Sequence, residues 1–124
     1  MNSLSIEERS ALRESVHRLL TDESREVAVR ATMETDAGYD PELWSKLGEM
    51  GVLGLMVDES HGGSGVGPME LEVVMEEVGA ALLCSPLLAS GVVAAELLRG
   101  LGDADLNEHL LPEIAADTAI VTAA

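Results

Sequence analysis

Aromatic residues are almost missing from this chain. Trp44 and Tyr39 stand alone, phenylalanine is absent, and aromatics make up 2% of the 124 residues. Sheets draw on β-branched and aromatic side chains, so a β-sandwich or barrel is a poor fit, and the Ala, Leu, Val and Met that are present suit close helix packing. Basic residues are scarce too: seven stand against 23 acids, a net charge of −16. Such a surface repels nucleic acid and anionic membranes, which removes both from the candidate partners. Cys84 is the only cysteine, so no internal disulfide can form, as expected in a reducing compartment and consistent with a cytoplasmic protein. With no histidine close by in sequence, Cys84 reads as a buried, inert thiol. The polar and acidic N-terminus carries no signal-peptide pattern. The longest uncharged run, 78–95, is interrupted by Pro86 and Gly91 and falls short of the roughly 20 apolar residues of a membrane span.

What is present is apolar content of 47%, enough for the core of one domain, laid out at helical spacing. Ser5 and Glu8 form a capping box, and Leu12, Val16, Leu19 and Leu20 follow, which predicts a helix over 5–20. Thr21-Asp22 marks a break, and Val27, Ala31 and Glu34 give a weaker second helix ending near Gly38. Asp40-Pro41 is a cap followed by proline at the first helical position. Leu43, Trp44, Leu47 and Met50 then form one stripe, closed by Gly51. Residues 52–57 read as a buried connector and 58–67 as a glycine loop.

Pro68 opens a helix whose buried stripe is expected at Leu71, Val74, Met75, Val78 and Leu82, with Glu70, Glu72, Glu76 and Glu77 on its other faces. Ser85-Pro86 restarts the chain. The next helix, 86–98, is apolar nearly all round, which predicts burial on every side or a lining role. Asp105 and Glu108 suggest a further capping box, with Leu106, Leu110 and Ile114 inward. Pro112 marks a kink or a new turn. Met33, Met50, Met56, Met69 and Met75 read as core gap-fillers. Residues 118–124 look like a strand without a partner, which is not stable by itself, so the protein is expected to continue beyond Ala124.

Several motifs fail on inspection. His61-Gly62-Gly63 resembles an esterase oxyanion loop, but the serine elbow is broken because Val66 stands where its second glycine should be. Gly63-Ser64-Gly65-Val66-Gly67 lacks the register of a dinucleotide loop and no P-loop lysine follows. A di-iron bundle needs Glu-x-x-His on two helices, and only Glu14 and His17 have that spacing.

The order of elements carries more than any of these motifs. Leu43-Trp44-Ser45-Lys46-Leu47-Gly48-Glu49-Met50-Gly51 is followed by an apolar turn and then by Glu59-Ser60-His61-Gly62-Gly63-Ser64-Gly65. An acidic helix with Glu76-Glu77-Val78-Gly79, an apolar helix and Leu110-Leu111-Pro112-Glu113-Ile114 come next. Across nearly its whole length the chain resembles the N-terminal helical domain of the acyl-CoA dehydrogenases. The resemblance implies an all-α, up-and-down bundle of about five to six helices over 1–117, with 118–124 beginning a β-domain. It implies a flavoenzyme that puts a double bond into an acyl-CoA thioester, as in fatty-acid catabolism. FAD would be bound by later domains, and a glutamate in the C-terminal part would remove the α-proton. An electron-transfer acceptor protein and a homo- or hetero-oligomer are the implied partners, and basic groups from elsewhere would hold the CoA phosphates.

By the same resemblance no catalytic, flavin-binding or metal-binding residue lies in this segment, and the isolated chain is expected to be inactive. What the segment would supply is the far wall of the acyl pocket, by position Leu88, Ala89, Val92 and Val93. The small Ala89, Gly91 and Ala94 would leave room there for a branched or bulky acyl group. That these residues only pack the core is an equal alternative. Two other readings stand beside the enzyme: a stand-alone acidic interaction module, and a non-catalytic partner subunit.

Overall fold

The computed structural model describes residues 2–124. Among them lie six α-helices and no strand: α1 (Ile6–Glu23), α2 (Glu26–Met33), α3 (Pro41–Glu49), α4 (Pro68–Ala80), α5 (Ala95–Leu101) and α6 (Ala104–Ala115). The Ser5 capping box is complete, with the Glu8 N–H donating to Ser5 Oγ and the Ser5 N–H to Glu8 Oε2. Asp40 caps α3 as its sequence predicts, accepting from the Glu42 and Leu43 N–H groups. Gly51 ends that helix at φ 77°, the left-handed conformation that glycine adopts without strain.

Three boundaries differ from expectation. α1 runs through Thr21-Asp22 to Glu23, because neither residue removes a backbone donor and the helix needs no stop before Ser24. α2 ends at Met33, five residues before Gly38. The cap of α6 is Asp103, whose side chain accepts from the Leu106 N–H; Asp105 lies inside the first turn. Pro112 is accommodated within α6, which continues to Ala115.

α1 and α4 pack side by side and run in the same direction, since 9 pairs with 70, 13 with 76 and 77, and 17 with 77. One core cluster joins Val16 and Leu20 of α1, Leu43, Trp44 and Leu47 of α3, the connector residues Val52, Leu53 and Leu55, and Val74 and Leu87. A second holds Val57, Ala94, Ala95, Leu98, Leu111 and Ile114. Each fully buried leucine contributes about 1.5–3 kcal/mol. The connector is buried from Val52 to Val57 and begins with a 3₁₀ turn, Val52–Gly54. The glycine loop folds back on it. The Ser64, Gly65 and Val66 N–H groups donate to the carbonyls of Gly54, Val57 and Leu55. A Cβ at Gly63 would lie 2.0 Å from the Val57 carbonyl oxygen, so this loop is a packing device, closed onto its own domain.

The buried face of α4 is shifted from its predicted position. Glu70, Val73 and Val74 are buried, Leu71 and Met75 are partly buried, and Leu82 is exposed with a left-handed backbone. Glu70 is wholly inaccessible and serves as the anchor of the N-terminal segment. Its Oε1 accepts from the Leu4 N–H at 2.8 Å and Ser3 Oγ at 2.9 Å, with Arg9 Nη2 at 3.5 Å. Of the five methionines read as core, Met56 is buried and Met50 and Met75 are partly buried. Met33 and Met69 are on the surface.

Candidate functional site

The apolar stretch after Ser85 forms a helix of two kinds. Ser85 Oγ accepts from the Leu87 N–H, Leu87–Ala94 is π-helical, and α5 follows without a break. π-Helical geometry is rare, and single π-turns within α-helices recur at functional sites. Small residues permit this segment to lie close to the core. A Cβ at Gly91 would stand 3.2 Å from the Leu53 carbonyl oxygen, tighter than ordinary contact.

The helix is not buried on all sides. Leu87, Ser90, Gly91, Ala94, Ala95 and Leu98 face the core. The opposite face is open and apolar: Leu88 is 56% exposed, Val93 42% and Leu97 48%, with Ala89 also exposed and Val92 half-buried at the margin. Thus Leu88, Ala89 and Val93 share one exposed face, and Val92 borders it. Hydropathy alone could not show this, because apart from Ser90, which is itself buried, every position from Leu87 to Ala95 is apolar or glycine, and the pattern does not distinguish inside from outside. An exposed apolar surface in a chain this acidic is a surface for something apolar to cover.

A different cleft, of about 450 Å³, is lined by Arg13, Glu14, His17, Arg18, Thr21, Asp22 and Glu77. His17 Nδ1 lies 2.7 Å from Glu77 Oε2 and Arg13 reaches both Glu76 and Glu77. The His17 hydrogen bond, with help from Arg13 and against the effect of burial, holds the Glu77 carboxyl below its ordinary value. These contacts tie α1 to α4. No group of three metal-ligating side chains occurs among the described residues, nor is any described helix long and apolar enough to cross a membrane.

Glu70 is the residue that sequence reasoning missed. Burial raises its pKa, but the hydrogen bonds from Leu4 and Ser3 and the charge of Arg9 outweigh that effect and leave it below the ordinary value. Its spacing placed it with the solvated acids of α4, and its partners lie more than sixty residues away. The one local hint is its position in the first turn of a helix that has no side-chain cap.

The model of the family "Acyl-CoA dehydrogenase, N-terminal domain" matches residues 6–118. The acyl-CoA dehydrogenase IpdE2 of Mycobacterium tuberculosis is 41% identical over 115 residues, covering 92% of this chain and 35% of that protein. Among solved structures, a variant of the Tcur3481–Tcur3483 steroid ACAD matches with a TM-score of 0.85 at 30% identity, over 94% of this chain and 32% of that one. The ChsE4–ChsE5 complex from Mycobacterium tuberculosis matches with a TM-score of 0.85 at 28% identity, over 98% of this chain and 34% of that one. The chain spans about a third of the length of the curated relatives it matches.

Proposed function

The chain belongs to the acyl-CoA dehydrogenase family as its N-terminal helical domain, and from that premise we propose that it forms one wall of the acyl pocket in a protein that oxidises an acyl-CoA thioester between its α and β carbons. The observation that carries the reading is the open apolar face of the π-helical segment. In the whole protein Leu88, Ala89, Val92 and Val93 meet the acyl group there. They exclude water from it and set the depth available to it. The redox chemistry is that of FAD held by other domains, with the base and the contacts to the CoA phosphates also supplied outside this chain. The glycine loop offers no phosphate cradle, since Gly63 is pressed against Val57. Residues 1–117 are the helical domain, and 118–124 lead into a β-domain.

The acyl group is bulky. Ala89 is a small side chain on the same exposed face as Leu88 and Val93, which leaves room there, and one structural neighbour is by name a steroid ACAD. Electrons pass to an acceptor protein, and the working form is an oligomer. Pairing with a different subunit is supported by the two neighbours, each named as a pair. The protein works in the cytoplasm, consistent with a lone cysteine.

Ala89→Phe in the whole protein tests the wall. It should depress turnover of bulky acyl-CoA thioesters far more than of short ones. An unchanged preference between the two would remove Ala89 from the pocket. A whole protein that takes up no flavin, yet activates a second subunit, would make this domain part of a non-catalytic partner.

A further inference from the structure

The π-helix carries one fully buried polar side chain, Ser90, set between exposed Ala89 and buried Gly91. Its Oγ accepts a hydrogen bond from the Val121 N–H at 3.1 Å. The chain that leaves α6 is steered toward this point. Asp117 takes a left-handed conformation at φ 65° and its Oδ2 receives the Ser45 hydroxyl at 2.5 Å. The Thr118 and Ala119 N–H groups both donate to the Glu113 carbonyl. Val121 then packs against the cluster of Val57, Ala94, Ala95, Leu98, Leu111 and Ile114. Residues 118–124 have no regular structure, and Ser90 supplies the side-chain hydrogen bond that, together with the packing of Val121, ties the segment to the π-helix. A neighbouring position is also constrained, because a side chain at Gly91 would crowd the Leu53 carbonyl oxygen at 3.2 Å.

We propose that Ser90 is a positioning residue: by holding Val121 it fixes the register between the exposed face of the π-helix and the segment that leaves the domain. The proposal rests on the pocket-wall reading above. If Leu88, Ala89 and Val93 form one wall of a pocket whose other walls belong to later domains, the distance between walls depends on where the exit segment is pinned. A hydroxyl on the inner face of the same helix, one residue from Ala89, sets that distance without touching substrate. Alanine satisfies the helix and the packing but cannot accept the Val121 N–H.

The test uses Ser90→Ala in the whole protein, with two readouts. Hydrogen–deuterium exchange over 118–124 should accelerate on the order of three- to tenfold, the scale of one neutral hydrogen bond, while α1 and α4 exchange as before. KM for a bulky acyl-CoA should rise several-fold with a much smaller change in kcat, and a short acyl-CoA should show neither effect. Unaltered exchange over 118–124 would overturn the anchoring role. Faster exchange with unaltered KM would leave an anchor that positions nothing, and the proposal would be wrong. A wild-type protein that turns over no acyl-CoA would sink the enzymatic reading itself. It would be told apart from the other failures because the exchange measurement needs no activity.

Discussion

Replacing Glu70 by alanine should be among the most damaging single changes in this domain. The carboxylate is inaccessible to solvent and accepts two short hydrogen bonds, from the Leu4 N–H at 2.8 Å and Ser3 Oγ at 2.9 Å. Hydrogen bonds to an ionised group contribute about 1.5–3 kcal/mol each. The Arg9 contact, at 3.5 Å, adds less. Against these stands the cost of desolvating the carboxylate, which alanine no longer incurs. Glu70 Oε2 and Arg9 Nε both lack a protein partner, so that cost is incompletely compensated. A net loss of about 3 kcal/mol follows. In a chain of this size that lowers Tm by about 10 °C. Glu70→Gln keeps an acceptor for Leu4 and Ser3 and should lose less, about 1–2 kcal/mol.

The pH dependence supplies an independent check. The folded pKa of Glu70 lies below its ordinary value of 4.5. The carboxylate's contribution is therefore complete above about pH 4.5 and is lost as pH falls through the lowered folded value. Urea denaturation of wild type and Glu70→Gln across pH 3–7 should show a constant stability gap down to about pH 4.5, closing below it. An alanine variant within about 0.5 kcal/mol of wild type, or a gap that widens on acidification, would refute this account of the N-terminal anchor.

Two further comparisons test the packing. Gly63→Ala should prevent folding or cost several kcal/mol, because the new methyl would meet the Val57 carbonyl at 2.0 Å. Gly79→Ala, in α4 with nothing within 4 Å, should stabilise by about 0.5–1 kcal/mol, and thermal melts of the pair read both outcomes. Leu87→Ala and Leu88→Ala differ by one position but should differ widely in urea midpoint. Leu87 is 2% exposed and its loss should cost about 2–5 kcal/mol, while Leu88, 56% exposed, should cost less than about 1 kcal/mol.

What the sequence made legible was local. The Ser5 box, the Asp40-Pro41 start and the glycine at 51 each act within one helical turn, so neighbouring residues suffice to recognise them. The family resemblance rested on such signals taken in order, and the family match over 6–118 bears it out. Features that depend on distant partners were hidden. Glu70 is fixed by residues 3, 4 and 9, and no periodicity marks an acid that will be buried by them. The orientation of the 87–98 helix was hidden for another reason. Apart from Ser90 and Glu96 the stretch is apolar or glycine throughout, so its hydrophobic gradient is weak, and the side that turns inward is the one where Gly91 closes on Leu53. The candidate wall could thus be located on the chain by resemblance, but only coordinates separate its exposed Leu88, Ala89 and Val93 from the buried Leu87 and Ser90.

The two faces of that helix differ in how much change the fold tolerates. Residues on the inner face are held by the core, and a change there is removed because the domain fails. Residues on the outer face touch little of the domain, so their replacement leaves folding almost intact. A lineage can therefore try many side chains at 88, 89 and 93 without passing through unfolded intermediates. On the proposed reading of that face as a pocket wall, a few substitutions there would refit the same scaffold to acyl groups of new shapes at little cost to the fold.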